Sequence, residues 1–550
     1  MDRVEEIARV EELIDLTDSP VFEDPRTYPA IVEVVRTNDS NGTNNGFDMA
    51  REIRVDSSER VKKALYDGGE ASKVRVDILS LPIPTSSLGD LCEWIREGSA
   101  NGKDEVFVLA KEESSKVEDA VLKPFVYPSD IERYTDLPQL AHVVIWPYDE
   151  AGNLIDLDEY PQFKTYVTDH VDELKGRYCV REGGKEIHVY HDPAKATVCE
   201  RTKLAVGDIG LEPQFGLVDE EVVFKNTLYV IIPNQNVDAH YLLAILNSRF
   251  TFYAMKSISP TVRGGYLRYK TKYLERLPIR SIDFTTPEDE RERYVEALIR
   301  DYEEACRSAL APADTAVLDA VEEHLSADPE QSGVVHDLLA HLAREMTQLK
   351  EERRDLERAF DPFKYLPRGA SATPFSAAFS DEIKYAELVQ SPVDVTEAQH
   401  SIDDARLVEE GGTWVLEVRL KKRQPETWTE WQKEDGTIVR AWAPVLRFRD
   451  LDAEKARFYR FALPRLDAFS ADAFSGTIFP GGYTRTVKAR LWATPVPAYD
   501  ASIDLDDLVD LERQIQETEQ NIAFTDTLID QIVYRLYGLS EEEVAVVEEK

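Results

Sequence analysis

The sequence predicts a mixed α/β, multidomain protein with an α+β middle, long helical, coiled-coil-like arms and a mainly β insertion between the arms. Three observations predict it. A chain of 550 residues is long for one core, so three or more domains are expected. A hydrophobic share of 43% with 9% aromatics describes packed domains rather than a disordered chain. The periodicity also changes along the chain: short apolar runs bounded by turn formers come first, helical stripes follow over 286–360 and 504–536, and short β-like runs lie over 365–500.

The composition excludes several classes. No run of about 18 apolar residues occurs, so no transmembrane helix is expected. The first residues, MDRVEEIARVEEL, are charged and lack an apolar signal core, which predicts a cytoplasmic chain. Four cysteines in 550 residues rule out a disulfide scaffold. The charge balance is extreme, with 105 acids against 65 bases, a net −40 and a pI near 4.7. One reading is a protein that avoids nucleic acid. The other is a halophilic protein with a solvated acidic surface suited to a high-salt cytoplasm. The acids run along the whole chain and form no tail, which favours the second. A DNA binder of that kind leans on base contacts and shape, because salt weakens phosphate contacts.

In chain order, VEELIDL and AIVEVV within 8–35 read as two strands joined by turn formers, and 37–50 reads as an Asn/Gly/Ser-rich loop or linker. In GSANGKDEVF, 98–107, glycines bracket Asn101, with Lys103 and Asp104 behind it, and VFVLA then reads as a strand. Residues 160–176 read as a helix. Cys179, His188, His191 and Cys199 have the atom types zinc needs, but the intervals of eight, two and seven residues match no familiar pattern. That segment reads as a β-hairpin with ordinary Cys and His, and no metal ligand is assigned. Residues 221–233, EVVFKNTLYVIIP, read as a buried strand.

The next stretch organises the rest. From Tyr241 to Tyr253 apolar residues recur at helical spacing (Leu242, Ile245, Leu246, Phe250), and the run breaks at Pro260. RGGYLRYKTKY follows. From Lys256 to Arg280 seven bases (Lys256, Arg263, Arg268, Lys270, Lys272, Arg276, Arg280) face one acid, Glu275. Cations, interleaved tyrosines and a Gly pair suit a phosphate backbone. The competing reading is a basic loop that pairs with the protein's own acids.

After Pro278, 286–360 and 504–536 read as helices that pair antiparallel, bracing the middle domain or meeting a partner subunit, or simply packing internally. Between them, TWVLEVRLKK (413–422), APVLRFRD (443–450) and TRTVKARLWA (484–493) read as strands. Arg419, Lys421, Lys422, Arg423, Arg440, Arg447, Arg449, Arg485, Lys488 and Arg490 make this insertion locally basic, as a second DNA-touching surface or a charged solvent face. A nuclease would need two acids and a lysine around magnesium; Asp452-Ala453-Glu454-Lys455 supplies only a fragment of that set.

The stretch 241–279 resembles the signature of the TaqI-like DNA-specificity domain of adenine-specific DNA methyltransferases and type IIG restriction–modification enzymes. That signature is an LLAILNS helix, a break, then RGGYLR-(F/Y)-K…YLE-x-LPI, and this sequence is similar to it nearly letter for letter. Segments 88–109, 122–134, 143–156 and 528–549 resemble the same enzymes in the same order, and 8–35 resembles the last strands of their catalytic domain. The sequence departs from the family at Ser99-Ala100-Asn101, where isoleucine-x-threonine is common. The resemblance implies terminal strands of a methyltransferase domain at 1–45, a linker at 46–78, a target-recognition domain at 79–283, a helical arm at 284–364, the mainly β insertion at 365–503, and a C-terminal helical arm and tail at 504–550. It implies contacts to double-stranded DNA from Lys103, Arg263, Gly264, Gly265, Tyr266, Arg268, Lys270 and Lys272.

The resemblance also implies S-adenosylmethionine, but in a catalytic methyltransferase half or subunit that partners this chain. The only glycine-rich candidates here, GGK at 183–185 and FPGGY at 479–483, lack a βαβ setting. No (N/D)-P-P-(Y/F) tetrapeptide occurs; Asp361-Pro362-Phe363 comes nearest. The chain is therefore expected to recognise DNA and to be inactive alone, with no catalytic residue assigned. The alternatives are a complete methyltransferase with unrecognised motifs and a non-catalytic scaffold or interaction protein.

Overall fold

The computed structural model describes residues 9–15, 30–35, 83–135, 140–262, 264–308, 310–366, 372–389, 400–422, 433–434, 437–438, 442–467, 479 and 486–548. The linker expected at 46–78 lies outside them, as do Arg263, Arg423, Arg440, Arg485 and the glycines of FPGGY. The chain divides into two units, Met1–Val76 and Asp77–Lys550. In the first, Arg9–Asp15 pairs antiparallel with Ala30–Val35, the two strands expected there.

The second unit opens with two four-stranded sheets. One has the order Gly216–Val218, Lys203–Gly207, Leu228–Pro233, Cys92–Glu97 and is antiparallel throughout. Leu228–Pro233 is central and every residue in it is buried, which is why LYVIIP is continuously apolar rather than alternating. The other has the order Val223–Phe224, Leu122–Val126, His142–Ile145, Val108–Ala110, with only the first pair parallel. The run 221–233 is thus two strands in two sheets, split by a turn in which Leu228 N donates to Lys225 O at 2.9 Å.

Three local readings change. Asp104–Phe107 is a helical turn and only Val108–Ala110 is a strand, because the Asn101 side chain bonds both Lys103 N (2.7 Å) and Asp104 Oδ1 (2.9 Å) and coils the entry. The helix expected over 160–176 is two, Pro161–Asp169 and Val171–Lys175. The segment 179–199 forms no hairpin. Buried Arg177 gathers it, donating to Leu174 O, Asn101 O, Val189 O and Ile187 O at 2.6–3.3 Å. Carbonyl dipoles satisfy that buried cation, so no acid is required.

Helices Glu288–Arg307, Ala316–Ser326 and Ser332–Ala359 follow, and Asp506–Leu536 returns near the C-terminus. Ser332–Ala359 and Asp506–Leu536 run antiparallel. Phe360, just beyond the end of the first, shares a core with Leu508 at the start of the second. At the opposite end His336 packs on Tyr241, whose hydroxyl donates to Arg280 O, and Tyr537 OH accepts from Arg280 N. Of the apolar stripe Leu342, Met346, Leu349 and Leu356, the first three are buried and Leu356 is half-buried. The arms are a brace: Ser332–Ala359 lies against the first sheet's helices, with Thr347 donating to Tyr134 O and Arg344 reaching Asp238.

The insertion forms a sheet of order Glu387–Leu388, Trp442–Phe448, Thr413–Lys422, His400–Glu410, covered by helices around Phe375, Phe379, Phe458 and Tyr459. The run expected as a third strand is instead the helix Val487–Ala493, capped by Thr486, with Val487, Arg490 and Leu491 on one buried face. The insertion is therefore α+β rather than mainly β. Its arginines are matched by acids: Arg406 to Glu417, Arg419 to Asp404, Arg447 to Glu410 and Arg449 to Glu387. Arg406 and Arg419 also flank the Trp442 ring, at 4.1 and 5.6 Å. Among the described residues these sheet arginines are paired with acids. Among the described residues no helix is long and apolar enough to cross a membrane.

Candidate nucleic-acid interface

The signature helix is two helices, Ala239–Leu246 and Arg249–Ile258. Tyr241 to Leu246 are all buried, so the first is apolar on every side. Asp238 caps it, accepting from His240 N and Tyr241 N. The break falls at Asn247-Ser248, and both residues are structural. Asn247 clamps the Phe215 backbone, accepting from its N and donating to its O, each at 2.9 Å. Ser248 caps the second helix, accepting from Thr251 N at 3.3 Å.

The basic segment leaves this pair through a closed loop. Ser259 Oγ donates to Arg268 O and accepts from Arg268 N, both at 2.9 Å, so it staples residues 260–267 at their base. Inside, Val262 N donates to Tyr266 O at 2.8 Å and Gly265 N to Val262 O at 3.1 Å. Gly264 and Gly265 have φ of +89° and +81°, the region side-chain-bearing residues avoid. The Gly pair is what lets the chain reverse here. Leu267–Arg268 then pairs with Ile209–Gly210, and buried Tyr269 packs beside Gly210 and Phe215.

Arg268 is committed to an acid. Its Nε and Nη2 meet Asp208 Oδ1 and Oδ2 at 3.0 and 2.6 Å. That bidentate pair holds the guanidinium charge more firmly and locks the two short strands together. Lys270 and Lys272 differ: among the described residues neither has a carboxylate within ion-pairing distance. Lys272 lies 4.7 Å over the Tyr273 ring, and Lys256 lies 4.2 Å over Phe252. Tyr266 is 40% exposed, not in the core, and Ile209 and Leu211, each 51% exposed, flank Gly210 of the strand paired with Leu267–Arg268. That neighbourhood was invisible in the sequence, since Ile209 and Leu211 are distant in the chain. Asp208 was missed for the same reason. Lys103 sits apart, on the turn before the second sheet, with Glu105 Oε2 at 3.6 Å. No hydrogen bond or ion pair joins it to the Gly turn among the described residues.

The residues examined for cofactor chemistry have other employment. Asp361 Oδ1 accepts from Phe363 N at 2.9 Å and Pro362 is buried in the same turn. Gly183 closes a helical turn so tightly that a Cβ there would stand 2.5 Å from Cys179 O. His188 is buried edge-on against Phe163, and among the described residues no group of three or more His, Cys, Asp and Glu is placed to hold a metal ion.

Residues 161–279, which span the Arg177 core, the central strands and the whole signature, match the TaqI-like C-terminal specificity domain family. The chain thus carries a TaqI-like specificity domain homologous to those of type II methyltransferases. It is 30% identical over 214 residues to the type II methyltransferase M.PaeR7I of Pseudomonas aeruginosa, covering 39% of this chain and 36% of that protein. It is 28% identical over 218 residues to M.BstVI of Geobacillus stearothermophilus, covering 40% and 38%. The chain spans little more than a third of the length of these relatives. Among solved structures, the type IIG restriction endonuclease BpuSI aligns with a TM-score of 0.27 at 12% identity, over 38% of this chain and 25% of that one. A type I restriction–modification S subunit from M. genitalium aligns with a TM-score of 0.28 at 10% identity, over 84% and 98%.

Proposed function

We propose that this chain reads DNA sequence for an adenine-specific methyltransferase of a restriction–modification system, and that the catalytic half is a separate methyltransferase part. The observation that carries the reading is the basic loop within the family-matched domain. A Gly turn with an exposed tyrosine is followed by lysines that no described acid neutralises, in a chain that carries 105 acids. Free cations, an open backbone and exposed rings are what a duplex offers partners for. In this reading the domain closes on DNA and reads base edges in the groove. In this reading the partner holds S-adenosylmethionine and supplies the methyl-transfer chemistry.

One observation favours a scaffold instead. Arg268 and Arg280 are paired internally, to Asp208 and Glu330. Lys270 and Lys272, which no described acid pairs, favour the DNA reading over the scaffold. The test is selection from a randomised duplex pool by the purified chain in molar potassium chloride, alone and co-expressed with a candidate catalytic partner. Enrichment of one short motif is the expected outcome. No enrichment at any salt, with or without the partner, sinks the reading.

A further inference from the structure

Cys92–Glu97 is the edge strand of the first sheet, next to Leu228–Pro233. Its alternation buries Ile95 and puts Trp94 and Arg96 together on the other face. The Arg96 guanidinium covers the Trp94 ring at 4.4 Å, and the indole N–H is buried with no acceptor. The outer edge of this strand is held by the basic segment: Thr271 Oγ1 donates to Ile95 O at 2.9 Å. That bond brings the segment that carries Lys270 and Lys272 against the strand that carries Arg96. Among the described residues none of these three cations has a carboxylate within ion-pairing distance. The nearby Glu93 is occupied by Arg201, at 2.6 and 3.3 Å. On the insertion's sheet, by contrast, Arg406, Arg419, Arg447 and Arg449 are each matched by an acid.

We infer that Arg96, Lys270 and Lys272, with Trp94 beneath Arg96, form a contact surface for the phosphate backbone of duplex DNA. The inference rests on the DNA-reading function and adds Arg96 and Trp94, which lie outside the signature, to Lys270 and Lys272 within it. Cations without carboxylate partners on two adjoining segments suit a polyanion as their common ligand. The Trp94 ring holds the Arg96 fork in one plane, and a sugar can pack on whatever part of the ring the fork leaves open. Arg268 takes no part, being held by Asp208. The surface positions the duplex and carries no sequence information.

The test is the salt dependence of DNA binding by the full chain. Affinity is measured against potassium chloride concentration for wild type, Arg96→Gln/Lys270→Gln/Lys272→Gln, and the charge-keeping Arg96→Lys/Lys270→Arg/Lys272→Arg. Each lost phosphate contact removes about 0.9 from the slope of log affinity on log salt. The neutral variant is expected to bind all sequences more weakly, to keep the selected motif, and to lose about 2–3 from that slope. The charge-keeping variant retains it. Thermal unfolding of each variant separates charge loss from misfolding. An unchanged slope while wild type binds places the phosphate contacts elsewhere and leaves the DNA reading standing. A changed motif makes these residues base readers and overturns the assignment. Absence of binding by wild type at every salt overturns both.

Discussion

The Arg268 guanidinium lies edge-on to the Asp208 carboxylate, with two parallel hydrogen bonds of 3.0 and 2.6 Å. Asp208 O also accepts from Tyr269 N at 2.8 Å, so side chain and backbone of one residue hold both sides of the basic strand. Both side chains are about a quarter exposed, which limits the pair to about 1 kcal/mol. Its role is to aim the Gly turn. Asp208→Ala and Arg268→Ala are therefore expected to weaken DNA binding in the same direction, and the double variant to cost less than their sum. A direct DNA contact by Arg268 predicts the opposite sign for Asp208→Ala, because removing the acid would free the cation. Binding isotherms of the three variants decide.

The glycines of the turn are predicted to differ from each other. Both sit at positive φ, so alanine costs roughly 1–2 kcal/mol of local strain at either. A Cβ on Gly264 would also stand 3.3 Å from the Tyr266 ring, whereas one on Gly265 meets only Leu211 at 3.9 Å. Gly264→Ala should displace Tyr266 and reduce DNA affinity more than Gly265→Ala. Equal losses would show that strain alone matters.

A pH dependence follows from Asp530. It lies on the C-terminal helix, buried against Arg249, whose N–H donates to its carboxylate at 2.8 Å. Burial, with a smaller push from Asp526, raises its pKa to about 7, while Arg249 and Arg133 oppose the shift. The unfolded chain releases this proton near pH 4 and the folded chain near 7. Between those values the folded state holds the extra proton, so stability falls as pH rises through that window and is flat above it. Asp530→Asn, which keeps an acceptor for Arg249 N, is expected to flatten the fall between pH 5 and pH 7.5 (roughly the upper part of the window) relative to wild type. Thermal unfolding at several pH values checks it; parallel curves for both proteins would refute it.

The legible parts of this protein were those set by local pattern. TWVLEVRLKK at 413–422 forms the strand its alternation predicts, and the sparse stripe of Leu342, Met346 and Leu349 marks a real buried face. Positions that depend on distant partners were not legible. Nothing near Arg268 in sequence announces Asp208, and nothing near Ile95 announces Thr271, because both pairings are made by the tertiary fold. TRTVKARLWA reads as a strand in the sequence; the Thr486 cap and one-sided burial of Val487, Arg490 and Leu491 make it a helix instead. The signature's letters were legible as a signature but not as roles. Several turn out to hold the fold rather than face a ligand.

Asn247 is the sharpest case of such a letter. It is 2% exposed, and its amide replaces a missing strand by bonding both polar groups of Phe215. Its own carbonyl takes two bonds from Arg133, which in turn reaches Asp526 on the C-terminal helix. Removing the amide leaves a buried N–H and a buried C=O without partners, each worth roughly 1–3 kcal/mol. Asn247→Ala is expected to destabilise the chain by about 2–5 kcal/mol and to abolish DNA binding only through unfolding. Asn247→Asp keeps the acceptor for Phe215 N but sets a carboxylate against Phe215 O, so it should be no better than alanine above pH 6 (roughly where a buried carboxyl ionises) and recover below it. Denaturant titrations at two pH values, beside DNA binding at the same temperature, distinguish this from a DNA-contacting asparagine. That alternative requires Asn247→Ala to lose DNA affinity while its unfolding midpoint stays unchanged.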